Sequence, residues 1–334
     1  MHKSLLHFIF LSFFLLLNSC GETGKSTVSE LDSTKNEITN QEENPIEISP
    51  ETMEKTVFYL ASDELKGRKT GTEGIEEAAL FIEDIFSNHK IQPYFSTYRD
   101  TFSVNETKAF NIVGYIEGND PKLKEEFIII GEHYDNVGIT KALNGDDIAN
   151  GANDNATGTA AVLEIAKHFS KTKKNKRSLL FVLFSAEEMG LKGSFHLSKK
   201  LREEGLNLYA MLNIEMIGIP MKDKTYSAYL TGYKNSNFAE KFNLYTGKNV
   251  FGFLPQAEAY KLFQRSDNYP FFQQFSVPAQ TLSSFDFTNY DYYHHVEDEA
   301  ELMDYNFMAN LTEYLILGIK EMANTSSKEI KLAM

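Results

Sequence analysis

Residues that can ligate metals or transfer protons recur along the central and C-terminal parts of the chain. They follow predicted strands or lie in the polar loops after them: His133, Asp135, Asp154, Glu187, Glu188, Glu215 and His294. In open α/β sheets, ligands bind at the carboxyl ends of the strands. We therefore expect these side chains to meet at one edge of a sheet, although each one alone is also typical of a surface residue, a helix cap or a turn.

Two imidazoles and three carboxylates, with no available thiol, form a ligand set that suits zinc or a related divalent ion. The predicted ligands are His133, Asp154, Glu188, Glu215 and His294. If Asp154 bridges with both oxygens, each of two ions receives one histidine, one further carboxylate and half of Asp154. Two-metal hydrolases hold their ions ~3.5–4 Å apart and activate a shared water.

Three further residues next to these ligands have side chains suited to catalysis. Glu187 can take a proton from the attacking water and pass it to a leaving amine. Asp135 can accept the ring N–H of His133 and fix its tautomer. Tyr293 can donate its hydroxyl to an oxyanion, or it can simply pack as one of the 17 tyrosines of the chain.

The apolar pattern predicts one α/β domain, a three-layer sandwich in which helices cover both faces of a mixed, largely parallel sheet. Strands are predicted at 111–116, 127–131, 179–185, 209–215, 227–230 and 277–282. Helices are predicted at 50–62, 75–89, 156–169, 191–203, 268–274 and 299–323. The three consecutive isoleucines at 128–130 are typical of a strand that is buried on both faces.

The start of the chain resembles a secretory signal that ends in a bacterial lipobox. A basic start precedes an apolar run at residues 5–17, and Leu17-Asn18-Ser19-Cys20 closes it. We predict a lipoprotein signal at 1–20, a flexible tether at 21–50, a metal-binding domain at 51–325 and a tail at 326–334. The mature chain would then be exported and anchored to a membrane through Cys20. An ordinary cleaved signal is the alternative.

Charge and cysteine content exclude other classes of function. The 334 residues carry 33 basic and 47 acidic side chains, a formal charge of −14. We expect no nucleic-acid partner, because phosphate binding requires a basic surface. Cys20 is the single cysteine, so no internal disulfide can form. Nothing in the sequence predicts an oligomeric state.

The order and spacing of six motifs resemble the M28 family of zinc peptidases. These motifs lie at residues 133–135, 151–158, 184–194, 213–218, 266–271 and 293–298. The resemblance implies a zinc-exopeptidase-like fold and hydrolysis of peptide bonds by a water that two zinc ions activate. Aminopeptidase is the commonest activity in the family, so peptide or protein N-termini are the expected substrates.

The resemblance also assigns roles to individual residues. It implies that one zinc ion binds His133 and Glu215, that the other binds Glu188 and His294, and that Asp154 bridges the two. Glu187 would be the general acid/base, and Asp135 would support a metal ligand. A cis peptide bond is implied between Asp154 and Asn155. His294 is preferred to His295 because it follows a tyrosine and precedes Asp298 by the family interval.

Two positions depart from the family pattern. Glu215 replaces the usual aspartate, and its longer side chain can still reach a metal but alters the spacing or the metal preference. Asn268 replaces the usual histidine in a segment that lines the substrate side. A free substrate N-terminus also needs an acidic partner near the metals, and the sequence offers several candidates: Asp146, Asp147, Glu258 and Asp267.

Two other functions remain open at this point. The first is a glutaminyl cyclase of the same fold, an acyltransferase with one zinc ion. Asp154-Asn155 and the uninterrupted segment 187–190 favour the peptidase, because the cyclases usually have Asp-Ser and an insertion there. The second is a non-catalytic binding lipoprotein of the same fold, but such chains tend to lose ligands that are all present here.

Overall fold

The computed structural model describes residues 46–333, which form eight α-helices and eleven β-strands. The helices are α1 (Pro50–Leu60), α2 (Glu73–Asn88), α3 (Thr157–Thr172), α4 (Lys192–Glu203), α5 (Phe238–Thr246), α6 (Pro255–Ala259), α7 (Asn268–Phe275) and α8 (Tyr305–Asn324). The strands are β1 (Gln92–Pro93), β2 (Arg99–Val104), β3 (Thr107–Ile116), β4 (Phe127–His133), β5 (Gly138–Leu143), β6 (Asp146–Ala149), β7 (Ser178–Phe184), β8 (Leu208–Glu215), β9 (Ala228–Leu230), β10 (Phe251–Gly252) and β11 (Ala279–Ser283). The predicted signal and most of the predicted tether lie outside the described residues.

Nine of these strands form one mixed sheet. Its order is β1-β3-β7-β4-β8-β11-β9-β10, and β2 pairs with β3 beside this path. The four central strands β7, β4, β8 and β11 run parallel, whereas β3 and β9 pair antiparallel to β7 and β11. Strands β5 and β6 form a separate hairpin. The predicted α/β fold with a parallel sheet centre is confirmed.

Both faces of the sheet are covered, because successive residues of a strand point to opposite sides. Ile128 and Ile130 pack in one apolar cluster with helices α1, α2, α3, α5 and α8. Ile129, between them, packs in a second cluster with α4 and α7. Full burial of each such side chain stabilises the fold by about 1.5–3 kcal/mol. The apolar run therefore reflects a central strand between two helical layers, as predicted.

Most predicted elements agree with the structure within a few residues, but the last helix starts later than predicted. A 3-10 turn occupies Ala300–Leu302, and α8 begins only at Tyr305. The Asp304 side chain accepts the Phe307 N–H at 2.9 Å and caps the helix there. Strand β2 was not predicted, because only every second residue of it is buried and it has no apolar run.

The packed structure extends beyond both predicted domain boundaries. Ile48 is 7% exposed and its N–H donates to Glu313 Oε1 at 3.0 Å, so the predicted tether ends before this residue. Ile330 is 1% exposed and its N–H donates to the Tyr209 hydroxyl at 2.9 Å, so the predicted tail is partly folded. Both side chains belong to the main apolar cluster. Within residues 46–333, no helix is long and apolar enough to cross a membrane.

Candidate metal centre

The carboxyl ends of parallel strands bring the predicted ligands together. His133 ends β4 and Glu215 ends β8, while Glu187 and Glu188 follow the end of β7. Asp154 lies in the turn before α3, and His294 lies between β11 and α8. Three groups have ligand atoms within 4.8 Å of one another: His133, Asp154 and Glu215; Asp154, Glu188 and His294; and His133, Glu187 and Glu188.

Asp154 lies between the two histidines and faces each with a different oxygen. Its Oδ1 lies 3.3 Å from His133 Nε2, and its Oδ2 lies 3.3 Å from His294 Nε2. Glu215 Oε1 is 3.2 Å from His133 Nε2, and Glu188 Oε1 is 3.0 Å from His294 Nε2. We call the two sets the His133 triad (His133, Asp154, Glu215) and the His294 triad (His294, Asp154, Glu188). Each contains one histidine, one private carboxylate and one oxygen of Asp154.

Main-chain contacts fix the position of Asp154. The N–H groups of Asn153 and Asp154 donate to the two oxygens of Asp298, at 2.7 and 3.1 Å. The side-chain amide of Asn136 donates to the Asp154 carbonyl. The Asp154–Asn155 peptide bond is cis, as the family resemblance implied.

The charges of this cluster fit divalent cations. Four carboxylates, those of Asp154, Glu187, Glu188 and Glu215, lie around two histidines. Within residues 46–333, Asp154, Glu188 and Glu215 form ion pairs with these two histidines. Asp154 Oδ2 is buried and, among residues 46–333, accepts no well-aligned hydrogen bond, although His294 Nε2 lies 3.3 Å away. Buried negative charge is costly unless a cation compensates it. Imidazole and carboxylate donors of this kind suit zinc.

The pKa values of the histidines respond to the surrounding carboxylates. Burial lowers the pKa of His294, but the neighbouring carboxylates of Asp154 and Glu188 raise it more, to about 10. Burial also opposes the charge of His133, yet Glu187, Asp154 and Glu215 raise its pKa well above the usual value. A metal ion binds neutral imidazole, so zinc binding here must release protons.

Glu187 adjoins both triads, with a carboxylate oxygen within 4.8 Å of ligand atoms of His133 and Glu188. Burial raises the pKa of Glu187 well above its usual range. A raised pKa suits a carboxylate that both accepts and returns a proton near neutral pH. The position and the environment of Glu187 are therefore those expected of a general acid/base.

Asp135 does not contact His133 in the predicted way. His133 Nδ1 lies 3.1 Å from the backbone carbonyl oxygen of Asp135 but 3.9 Å from its carboxylate. The carboxylate is instead engaged by two other donors, the Glu187 N–H at 3.1 Å and the Thr70 hydroxyl at 3.0 Å. The backbone of Asp135 therefore orients the histidine ring, and its side chain holds the turn that carries Glu187.

Tyr293 stacks on His294, with ring centroids 3.9 Å apart, and its side chain is 45% exposed. The Tyr293 ring therefore packs against a predicted ligand, as the interpretation of Tyr293 as a packing residue expects. Its predicted role as an oxyanion donor stays a prediction. His295 takes no part in the cluster, because its Nδ1 accepts the Glu297 N–H at 3.1 Å.

Among the described residues, the remaining predicted ones do not belong to the three groups of candidate ligands. Asn268 was expected on the substrate side but is fully buried; its amide donates to the carbonyls of Phe263 and Ala279, and its oxygen accepts the Thr281 hydroxyl at 2.8 Å. Asn268 is therefore a packing residue. Of the acidic candidates for binding a substrate amine, three are exposed and one is buried beside the cluster: Asp146, Asp147 and Glu258 in the first group, and Asp267 in the second.

Sequence reasoning missed several residues that hold the ligands in place. The Ser266 hydroxyl donates to Glu215 Oε2, and Asn213 Nδ2 donates to Ser266 Oγ at 2.9 Å. Ser266 thereby fixes the longer Glu215 side chain so that its other oxygen faces His133. Ser266 lies in the motif at 266–271, whereas no sequence signal pointed to Thr70 or Asn136.

A pocket opens beside Glu215. Its lining includes four aromatic residues, Tyr229, Phe285, Phe287 and Tyr293. It also includes polar side chains, among them Thr231, Thr281 and Ser283. The pocket is thus continuous with the His133 triad through Glu215.

Known proteins share sequence with the part of the chain that forms this cluster. The family model described as "Peptidase family M28" matches residues 111–318. A "Probable leucine aminopeptidase" of Trichophyton verrucosum is 27% identical over 228 residues, which are 66% of this chain and 58% of that protein. A "Probable zinc metalloprotease" of Pyrenophora teres is 30% identical over 161 residues, 48% of this chain and 30% of that protein. The chain thus spans less than two thirds of the length of these relatives.

Solved structures share the fold at low sequence identity. BSAP, a zinc aminopeptidase from Bacillus subtilis, has a TM-score of 0.67 at 14% identity and covers 85% of this chain and 97% of its own. The LapA aminopeptidase of Legionella pneumophila has a TM-score of 0.65 at 20% identity, and the match covers 84% of this chain and 73% of LapA. The glutaminyl cyclase of Porphyromonas gingivalis has a TM-score of 0.64 at 16% identity, and the match covers 82% of this chain and 98% of the cyclase. The fold is therefore common to aminopeptidases and cyclases, while the match over residues 111–318 shows that this chain belongs to peptidase family M28.

Proposed function

We propose that this protein is a zinc metallopeptidase that removes residues from the N-termini of peptides with the aid of two zinc ions. The observation that carries the proposal is the position of Asp154, whose two oxygens face two histidines at equal distances of 3.3 Å. The His133 triad would hold one ion and the His294 triad the other. The names of the relatives, a leucine aminopeptidase and a zinc metalloprotease, support the same activity.

Zinc, Glu187 and Asp135 have different roles in the proposed reaction. When bound, zinc supplies a Lewis acid that makes water more acidic and stabilises negative charge on a carbonyl oxygen. Glu187 accepts the proton of the attacking water and donates it to the leaving amine, a contribution of about 10²–10⁴-fold in general acid–base catalysis. Asp135 holds the backbone N–H of Glu187 and so keeps the carboxylate at the cluster.

The pocket beside Glu215 would take the side chain of the first substrate residue. Its aromatic lining residues, among them Phe285, Phe287 and Tyr293, favour an apolar side chain, because contact with these rings removes apolar surface from water. A protonated substrate amine would be attracted by the surplus carboxylates around the triads. An apolar N-terminal residue with a free amine is therefore the expected substrate.

A glutaminyl cyclase with one zinc ion is the main alternative, since a cyclase shares the fold. The complete second triad, with Glu188 3.0 Å from His294, favours two ions over one. Elemental analysis of the purified chain should give two zinc ions per molecule. One ion, with cyclisation of an N-terminal glutamine peptide, would support the cyclase instead.

Substrate assays separate an aminopeptidase from other activities. Leucyl reporters should be cleaved in the presence of zinc, and the same reporters with an acetylated amine should not. Equal cleavage of both would contradict N-terminal specificity. Zinc binding without cleavage of any reporter or cyclisation of glutamine would favour a non-catalytic binding protein of the same fold.

We also propose that the mature protein is exported and held at a bacterial membrane through a lipid on Cys20. The support is the sequence alone, a basic start, an apolar run at 5–17 and Leu17-Asn18-Ser19-Cys20. Cells that produce the full chain should incorporate labelled fatty acid into it, and Cys20→Ala should abolish the label and release the protein from membranes. Labelling of the variant would overturn the anchor. No nucleic-acid partner is proposed, in keeping with the charge of −14.

A further inference from the structure

Residues 67–70, between α1 and α2, precede the matched family region but pack against the ends of three segments that carry the metal centre. Gly67 has a φ of +65°, and a Cβ added there would meet the carbonyl oxygen of Ala149 at 2.3 Å. This close approach requires glycine. The segment is therefore built into the loops around the centre and is more than a connection between two helices.

Arg68 ties two of these loops together. Its guanidinium is fully buried and donates to the carbonyls of Tyr134 at 3.0 Å, Asn150 at 2.6 Å and Gly151 at 2.9 Å. Tyr134 follows His133, and Gly151 lies three residues before Asp154 in the chain. A buried guanidinium with all these donors satisfied is a rigid cross-link. It fixes the exit of β4 relative to the loop that leads to Asp154.

Thr70 extends this cross-link to the third loop, which carries Glu187. Its hydroxyl accepts the Ala186 N–H at 2.9 Å and donates to Asp135 Oδ2 at 3.0 Å. The other oxygen of Asp135 accepts the Glu187 N–H at 3.1 Å. The Thr70 hydroxyl thus donates to Asp135 and accepts from Ala186, and these two residues position the backbone of Glu187.

The turn at 185–187 depends on such side-chain partners. Its three successive N–H groups donate to Asn111 Oδ1, Thr70 Oγ1 and Asp135 Oδ1, at 3.2, 2.9 and 3.1 Å. Ala186 is buried and has a φ of +56°, a conformation that non-glycine residues rarely adopt. Buried backbone groups without partners are costly. Side chains from three separate elements therefore hold this turn in place.

We propose that Thr70 is a positioning residue for proton transfer, which sets the place of Glu187 through Ala186 and Asp135. The inference rests on the proposed function, because it assumes that Glu187 carries the proton. Proton transfer requires the acceptor within hydrogen-bond reach of the proton that it takes. A displacement of about 1 Å in a catalytic group can cost ~100-fold in rate. Loss of the Thr70 hydroxyl should therefore slow turnover without removing any metal ligand.

Two substitutions of Thr70 separate the hydroxyl from the shape of the side chain. Thr70→Val keeps the shape and removes the hydroxyl, and we expect kcat on a leucyl reporter to fall by roughly 10–100-fold with KM within about twofold. Thr70→Ser keeps the hydroxyl and should restore most of kcat. Thr72→Val is the matched control, since the Thr72 hydroxyl, within the part of the chain that the structure describes, donates to the nearby Lys69 carbonyl and not to the turn at 185–187. It should leave kcat and KM unchanged.

A double-mutant cycle with Glu187→Gln tests whether Thr70 acts through Glu187. The double variant Thr70→Val, Glu187→Gln should be no slower than Glu187→Gln alone, and each variant should keep the zinc content of the unaltered protein. A similar further loss in both backgrounds would overturn the proposal, as would a Thr70→Val variant with normal kcat. Loss of zinc from Thr70→Val would also overturn it. An unaltered protein without zinc-dependent cleavage would instead disprove the proposed function.

Discussion

The edges of the central sheet at which its parallel strands begin and end both carry buried charges, but these charges are balanced in different ways. At the edge where β4 and β7 begin, Arg177 is buried and its Nε donates to Glu126 at 2.7 Å, while its Nη1 donates to the carbonyls of Met322 and Thr325. One cation there meets one carboxylate and two main-chain acceptors. At the edge where the same strands end, the carboxylates of Asp154, Glu188 and Glu215 form ion pairs with the two histidines of the triads, and Glu187 lies beside them.

This difference distinguishes a structural charge from a functional one. Arg177 finds its compensating charge within the chain, in the carboxylate of Glu126. Burial and neighbouring carboxylates raise the pKa of Glu187 and of Glu188 at the other edge, which means that negative charge there is costly. Such an edge reaches balance when cations from solution bind. The location of uncompensated carboxylates is therefore a guide to the site of chemistry.

The largest effect that we predict concerns Glu187. Glu187→Gln keeps the size of the side chain but removes the proton acceptor, so kcat/KM on a leucyl reporter should fall by about 10²–10⁴-fold. The zinc content should stay unchanged, because the triads are intact. Glu126→Gln, at the other edge, is the matched control and should retain full activity. Retention of activity by Glu187→Gln would exclude it as the proton carrier.

Zinc should stabilise the protein by binding where the parallel strands end, and not where they begin. A free zinc concentration of about 1,000 times the dissociation constant should raise the free energy of unfolding by ~4 kcal/mol, because the unfolded chain has no preformed site. His294→Ala should reduce this gain, and Glu126→Gln should not. Urea unfolding in zinc buffers and in chelator measures both. An equal gain in His294→Ala and the unaltered protein would contradict the role of the His294 triad.

Disruption of the balanced edge should affect stability but not catalysis. Arg177→Met leaves Glu126 and two carbonyls without their donor, and we expect it to lower the free energy of unfolding by about 3 kcal/mol. Glu126 is partly exposed, so Glu126→Gln should cost less. Urea unfolding of both variants, with kcat/KM measured in parallel, provides the comparison. A fall in kcat/KM of the folded Arg177→Met protein would show that the two edges are coupled.

The smallest effect concerns pH in the absence of zinc. The pKa of His294 is about 10 in the folded chain, above its usual value of ~6.5. The protonated ring therefore stabilises the zinc-free fold fully below pH ~6.5, and this contribution is lost as the pH rises through about 10. After allowance for solvent screening we expect a change on the order of 1 kcal/mol. Urea unfolding in chelator between pH 6.5 and 10 should show this decline, and His294→Asn should lack it.

The sequence was sufficient to predict which side chains meet at the end of the parallel strands, because most of them have a local signal. His133, Glu187, Glu188 and Glu215 directly follow apolar runs, and parallel strands place the residues after such runs at one edge. The same local logic predicted the central strands and most helices. Elements without an apolar run, such as β2 and the β5–β6 hairpin, had no comparable signal.

Hydrogen-bond partners could not be predicted in the same way. The spacing of His133 and Asp135 suggested a contact between ring and carboxylate, but the structure has the backbone carbonyl at 3.1 Å and the carboxylate at 3.9 Å. A difference of this size depends on how Thr70 and the Glu187 N–H compete for the carboxylate. Asn268 was misplaced for a similar reason, since only the packed structure shows that its amide caps two buried carbonyls.

The linear order of the two triads has a consequence for biosynthesis. His133, Asp154 and Glu215 lie at or before the end of β8, whereas His294 lies beyond β11. A ribosome therefore synthesises every donor of the His133 triad before it translates the codon for His294. Synthesis thus completes the donor set of one triad while that of the other still lacks its histidine.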